Sequence, residues 1–214
     1  SECHSPRNLL GGIEQKKAFT GADIDGWFAL NLTSNLKTGL GSWSVDDIAT
    51  YLKTGADKSK STSLGPMSEV VHNSLSFMTD DDLQAMAEYL KALPASSAMS
   101  PDHQPDKTLA AGATTYVDNC SACHQAQGSG IPGVFPALAG NGVVLAADAN
   151  DILKVVLFGI PVQDGYIAMP GFGDKLSDQQ IADLANYLRS SWGNGAAVNA
   201  TAAQVAALRK LPVE

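Results

Sequence analysis

Cys120-Ser121-Ala122-Cys123-His124 reads C-x-x-C-H, and this stretch decides how the rest of the chain is read. The spacing is the signature of c-type haem attachment. Two thiols three positions apart on one turn can each add to a vinyl group of the same porphyrin. His124 then falls under the ring, with its imidazole free for the iron. Two other uses of paired cysteines compete. A zinc site wants two further Cys or His at comparable spacing, and the chain has no second complete C-x-x-C. A redox dithiol wants a βαβ context, and strand patterns are scarce. Haem c is therefore the expected cofactor.

The chain has 214 residues, enough for one large or two small domains. Its formal net charge of −8 argues against nucleic acid as a partner, which needs a basic face. An acidic carrier is instead steered towards partners with basic patches. No apolar run is long enough to span a bilayer, so membrane association is expected only peripherally or through partners. No signal peptide is visible, and a leader removed ahead of Ser1 is expected. Three cysteines are present, Cys3, Cys120 and Cys123. Ser1-Glu2-Cys3-His4 matches the last four residues of another C-x-x-C-H, whose first Cys would fall one position before Ser1.

The order of elements supports a second site. Ser44-Val45-Asp46-Asp47 is close to a capping box, opening a helix with Val45, Ile48, Ala49 and Leu52 on one face and Gly55 as its stop. Leu64-Gly65-Pro66-Met67 reads as loop. Thr79 caps a helix with Leu83, Met86, Ala87 and Leu90 apolar, ended by Pro94. Residues 95–106, rich in Ser and Pro, read as an interdomain linker. The pattern then repeats. A helix over 107–119, with Leu109, Ala113, Tyr116 and Val117 on one face, runs into Cys120. A Gly/Pro loop spans 128–142. Asn150 reads as the cap of a short helix stopped by Gly159, and Met169 sits in an Ala-Met-Pro-Gly-Phe loop. Ser177 opens a helix whose face is Ile181, Leu184, Ala185 and Leu188. Both halves thus run Cys-His, Gly-rich loop, short helix ending in Gly, Met beside Pro, capped helix with Tyr-Leu near its end. Such an internal repeat supports reading Cys3-His4 as a second haem site. Residues 196–214 form a tail whose short capped helix, with Val205 and Leu208 apolar, is expected to pack on the second domain.

A pure electron carrier needs a second axial ligand, and a Met thioether raises the potential while sealing the iron. Met169, in a Pro/Gly loop before a helix cap, is the candidate opposite His124. Met67, beside Pro66, is the candidate opposite His4. Met78 and Met86 sit at a cap and on a helix face and read as core. Met99 and His103 lie in the linker, and His72 competes for the first iron. Pro136 follows His124 by twelve residues, and its carbonyl is placed to accept from the free imidazole nitrogen. Leu30-Asn31-Leu32 stands at the matching place in the first half, where a backbone carbonyl would have to serve.

These residues carry a resemblance. Residues 120–192 resemble a class I cytochrome c domain. The whole chain is similar to the last two domains of the three-haem cytochrome c subunit of bacterial membrane-associated alcohol, aldehyde and sugar dehydrogenases. The segments that carry this are Glu2-Cys3-His4-Ser5-Pro6-Arg7-Asn8, Gly39-Leu40-Gly41-Ser42-Trp43-Ser44, Gly65-Pro66-Met67, Gly133-Val134-Phe135-Pro136, Ala168-Met169-Pro170-Gly171-Phe172 and Ser190-Ser191-Trp192-Gly193-Asn194. The resemblance implies an all-α fold of two tandem class I cytochrome c-like domains, residues 1–94 and 107–195, the first without its N-terminal helix. It also implies a periplasmic electron carrier with no catalytic residues of its own. Electrons would pass from a dehydrogenase catalytic subunit towards quinone or a terminal oxidase. Two haems c would be held, one by Cys120 and Cys123 and one by Cys3, with His/Met ligation. The rival readings are a diheme enzyme, thiosulfate dehydrogenase-like or peroxidase-like, and a free soluble shuttle.

Overall fold

The computed structural model describes residues 2–57, 60–97, 108–162 and 166–211. Met99, His103 and most of the expected linker lie outside the described residues. The chain divides into two compact units, residues 1–99 and 100–214, both mostly helical.

In the first unit, β1 (Ala22–Ile24) and β2 (Trp27–Ala29) pair antiparallel, with Ala22 opposite Ala29. Asp25 and Gly26 join them at φ 49° and 75°. This is the two-residue turn that Asp-Gly favours. Helix α1 (Val45–Thr54) starts at a full capping box: Ser44 Oγ accepts from Asp47 N at 3.0 Å, and Asp47 Oδ2 accepts from Ser44 N at 2.7 Å. Helix α2 (Pro66–Asn73) corrects the reading of Leu64 to Met67 as loop. Pro66 occupies the first helical position, where its missing N–H costs nothing, so Met67 lies in the first turn of a helix. Helix α3 (Asp80–Ala92) follows, capped by Thr79. Ile48, Leu52, Val71, Leu75, Leu83 and Ala87 form the core. Ser96 was assigned to the linker but belongs to this unit, since Asn31 Nδ2 donates to its hydroxyl and Asn35 Nδ2 to its carbonyl, each at 3.0 Å.

In the second unit, α4 (Thr108–Asn119) leads into α5 (Ser121–His124), then α6 (Gly142–Leu145) and α7 (Asn150–Phe158). Strands β3 (Gly159–Ile160) and β4 (Met169–Pro170) pair antiparallel, and α8 (Asp178–Ser190) and α9 (Ala202–Leu208) follow. Helices α4 and α8 pack at Gly112, where a Cβ would stand 2.2 Å from Asp183 O. The buried face of α4 is therefore Gly112, Thr115 and Tyr116, and Val117, expected on it, is 65 % exposed. Tyr116 packs against Tyr187 and Trp192, with ring centres 5.6 and 5.0 Å away. The expected α8 face (Ile181, Leu184, Ala185, Leu188) is buried throughout, as are Val205 and Leu208 of α9. The cap of α7 differs from expectation. Asn150 is its first residue, and the Asp148 carboxylate accepts from Asn150 N at 2.6 Å. Arg189, wholly buried, donates to the carbonyls of Val144, Ala147, Asp148 and Ala197 and so fastens the tail.

Candidate haem sites

In the second unit the turn over 120–124 is closed by backbone bonds from Cys123 N and His124 N to Cys120 O, at 3.1 and 2.9 Å. All three cysteines are free thiols, with Cys120 half-buried and Cys123 exposed. Burial pushes the Cys120 thiol up to about 11, with the Cys123 charge adding to the rise and Lys175 opposing it. His124 is buried, and its Nδ1 lies 3.0 Å from Pro136 O. A carbonyl only accepts, so Nδ1 carries the hydrogen and Nε2 keeps its lone pair. Burial lowers the basicity of His124, partly offset by the Pro136 bond. A neutral imidazole is the form that ligates a metal.

The Pro136 carbonyl is set by a tight loop. Ile131 N donates to Phe135 O at 2.8 Å, and Gly130 adopts φ 62° where a Cβ would stand 2.5 Å from Pro136 O. The same loop touches the segment that carries Met169, through Ile167 N to Val134 O at 3.4 Å. Met169 is half-buried in β4, opposite Ile160 of β3. Around these loops Ile131, Val134 and Ile167 are 40, 36 and 54 % exposed. Exposed apolar side chains gathered there fit a large flat apolar group, and the imidazole and paired thiols fit its iron and vinyl carbons. The residues present suit haem c.

The first unit repeats the imidazole arrangement. His4 Nδ1 lies 2.7 Å from Leu30 O, at the place where Pro136 O stands for His124. Burial again lowers the basicity of the ring, opposed by the Leu30 bond. Gly21 N donates to His4 O at 3.0 Å, so the β1–β2 hairpin is fastened to His4 at both ends. Its Trp27 ring lies 2.6 Å from where a Gly65 Cβ would stand, just before Met67. One hairpin thus spans from the imidazole to the candidate distal segment. Met67 is half-buried and packs against the core, as do Met78 and Met86. Met78 O accepts from Lys53 Nζ at 2.8 Å. His72 is exposed on α2, with Nδ1 2.7 Å from Ser68 O. Ser63, fully buried in the stretch before Met67, has a hydroxyl with no hydrogen-bond partner among the described residues, the kind of atom that a bound group or water satisfies.

Residues 109–192 match the Cytochrome c domain family. Cytochrome c-552 of Thermus thermophilus is 35 % identical over 110 residues, covering 46 % of this chain and 83 % of that protein. The chain belongs to the cytochrome c family. Covalently bound haem c is the cofactor of that family, which accords with the paired cysteines and buried imidazole of the second unit. The likeness extends beyond one domain. The cytochrome c subunit of the quinone-dependent alcohol dehydrogenase of Gluconobacter oxydans (strain 621H) is 41 % identical over 232 residues, covering 97 % of this chain and 48 % of that subunit. The cytochrome c subunit of gluconate 2-dehydrogenase from Pantoea cypripedii is 38 % identical, covering 97 % of this chain and 52 % of that subunit. The chain thus spans about half the length of these two relatives.

Two contributors have no signature of their own in the sequence. Leu30 acts through its backbone, so any residue type can stand there. Gly130 matters for the side chain it lacks, and only its place in a Gly/Pro loop hints at it.

Proposed function

We propose that the chain is an electron-carrying part of a periplasmic dehydrogenase complex, with two haems c, each ligated by His and Met. One observation carries this reading: His4 and His124 each follow a free cysteine, and each directs Nδ1 at a backbone carbonyl, 2.7 and 3.0 Å away. Two sites built alike suit two cofactors used alike. Haem c supplies a one-electron ferric/ferrous couple when bound. The chain's residues do the rest. Cys120 and Cys123, and Cys3 in the first unit, attach the porphyrin. Leu30 O and Pro136 O fix the rings of His4 and His124 and make them better donors. Met67 and Met169 offer thioethers that keep water and substrates from the iron.

No catalytic residue is assigned; substrate chemistry belongs to a partner. The names of the relatives support a dehydrogenase catalytic subunit as the electron donor, with quinone or a terminal oxidase beyond. Among the described residues no helix is long and apolar enough to cross a membrane. A net charge of −8 favours donor and acceptor surfaces with basic patches.

Spectra of Met67→Ala and Met169→Ala test the reading. Each should abolish the near-infrared charge-transfer band of one Met-ligated ferric haem and open that iron to cyanide. If Met67→Ala leaves the first haem's spectrum unchanged, its ligation is misassigned, and a diheme enzyme with an open iron becomes the better account.

A further inference from the structure

The tail of the second unit ends its helix on Arg209, whose guanidinium reaches back to one short segment. Nη1 donates to Gly173 O at 2.5 Å, Nη2 to Leu176 O at 2.7 Å and Nε to the Asp178 carboxylate at 2.5 Å. These three acceptors lie just after β4, between Met169 and the first turn of α8. The other side of the segment is tied to α7, through Phe172 N to Val156 O at 2.8 Å and Gly173 N to Leu157 O at 3.1 Å. The helix that brings Arg209 there is itself anchored, with Val205 and Leu208 buried in the core. A planar fork of donors meeting two carbonyls and a carboxylate is a geometry that arginine alone among the cations supplies. Within the segment, Lys175 N and Leu176 N both return to Phe172 O, at 3.0 and 2.9 Å.

We propose that Arg209 is a positioning residue that clamps the Met169 segment shut, so that the C-terminal helix governs how firmly the thioether is presented to the iron. The proposal rests on Met169 being the distal ligand. Gly173, Leu176 and Asp178, the partners of Arg209, all belong to the second unit, so the first haem serves as an internal control.

The test is imidazole titration of the full haem-loaded chain, which measures how readily Met169 gives way. Arg209→Gln removes charge-assisted bonds and should raise the imidazole affinity of the second haem by about tenfold or more. The first haem's affinity should stay the same, and the charge-transfer band should persist before imidazole is added. Arg209→Lys, which keeps the charge and stem but loses the fork, should give an intermediate rise, and it decides the matter if Arg209→Gln does not fold. Gly112→Ala, destabilising at the α4–α8 contact beside Asp183 and Tyr187, touches none of the Arg209 partners and should leave imidazole affinity unchanged. The proposal is overturned if affinity in the folded Arg209 variants stays within about twofold of the parent, or if Gly112→Ala raises it equally, since the effect would then be general instability. If Met169→Ala leaves the second haem's band intact, the ligand assignment has failed and the clamp has nothing to act on.

Discussion

At the scale of single residues, His4 and His124 each have one nitrogen committed to a backbone carbonyl, which leaves the other free. Gly130 is the residue through which this can be tested without touching a ligand. Its left-handed φ of 62° and the nearness of Pro136 O leave no room for a methyl group. Gly130→Ala should cost about 1–3 kcal/mol, seen as a lower thermal midpoint, and should push Pro136 O away from His124. A weaker bond to Nδ1 makes the imidazole a poorer donor to ferric iron. The second haem's potential should therefore rise while the first stays put. An equal shift in both haems, or in neither, contradicts the orienting role of Pro136. The side chains proposed to hold haem are legible in the sequence because that chemistry needs particular atoms: in the roles proposed for them, Cys120, Cys123 and His124 admit few substitutes. The supporting carbonyls were legible only by analogy, at Pro136 through its spacing and at Leu30 merely as some carbonyl nearby.

At the scale of elements, capping was the most readable signal. Ser44, Thr79 and Ser177 each cap the helix expected of them, because a side-chain oxygen meeting the backbone N–H three residues on is a local event. Elements whose reasons lie elsewhere were missed. Helix α2 hides behind Gly65-Pro66, which reads as a turn until Pro66 is seen as a first helical residue. The β1–β2 hairpin had a usable signal in Asp25-Gly26, but its strands are three residues each and too short for alternation to stand out. The face of α4 was misjudged by apolar periodicity, which counts Val117 and overlooks Gly112. The α4–α8 contact explains why: the helices approach so closely at Gly112 that only a hydrogen fits. Gly112→Ala improves intrinsic helix propensity yet should destabilise the second unit by about 1–3 kcal/mol through overpacking. Denaturant unfolding followed at the second haem checks this. A stabilised variant would mean the crossing is looser than described.

At the scale of the whole molecule, each unit has a histidine ring nitrogen against a backbone carbonyl. The repeat was visible as an order of motifs, and the structure divides the chain into two compact units at residues 99 and 100. Within each, a carbonyl-pinned imidazole lies on a loop tied to a methionine-bearing segment, although the tie is a hairpin in one and a Gly/Pro loop in the other. The exact end of the first unit was misplaced because Ser96, in a stretch with linker composition, is held by Asn31, Thr33 and Asn35, and composition carries no record of such partners. Under the proposed function both units carry haem c. Intact mass together with a pyridine haemochrome assay on the purified chain tests it most directly. The expected result is a mass increment of two haems per chain and two haems by absorbance. An increment of one haem would contradict the account.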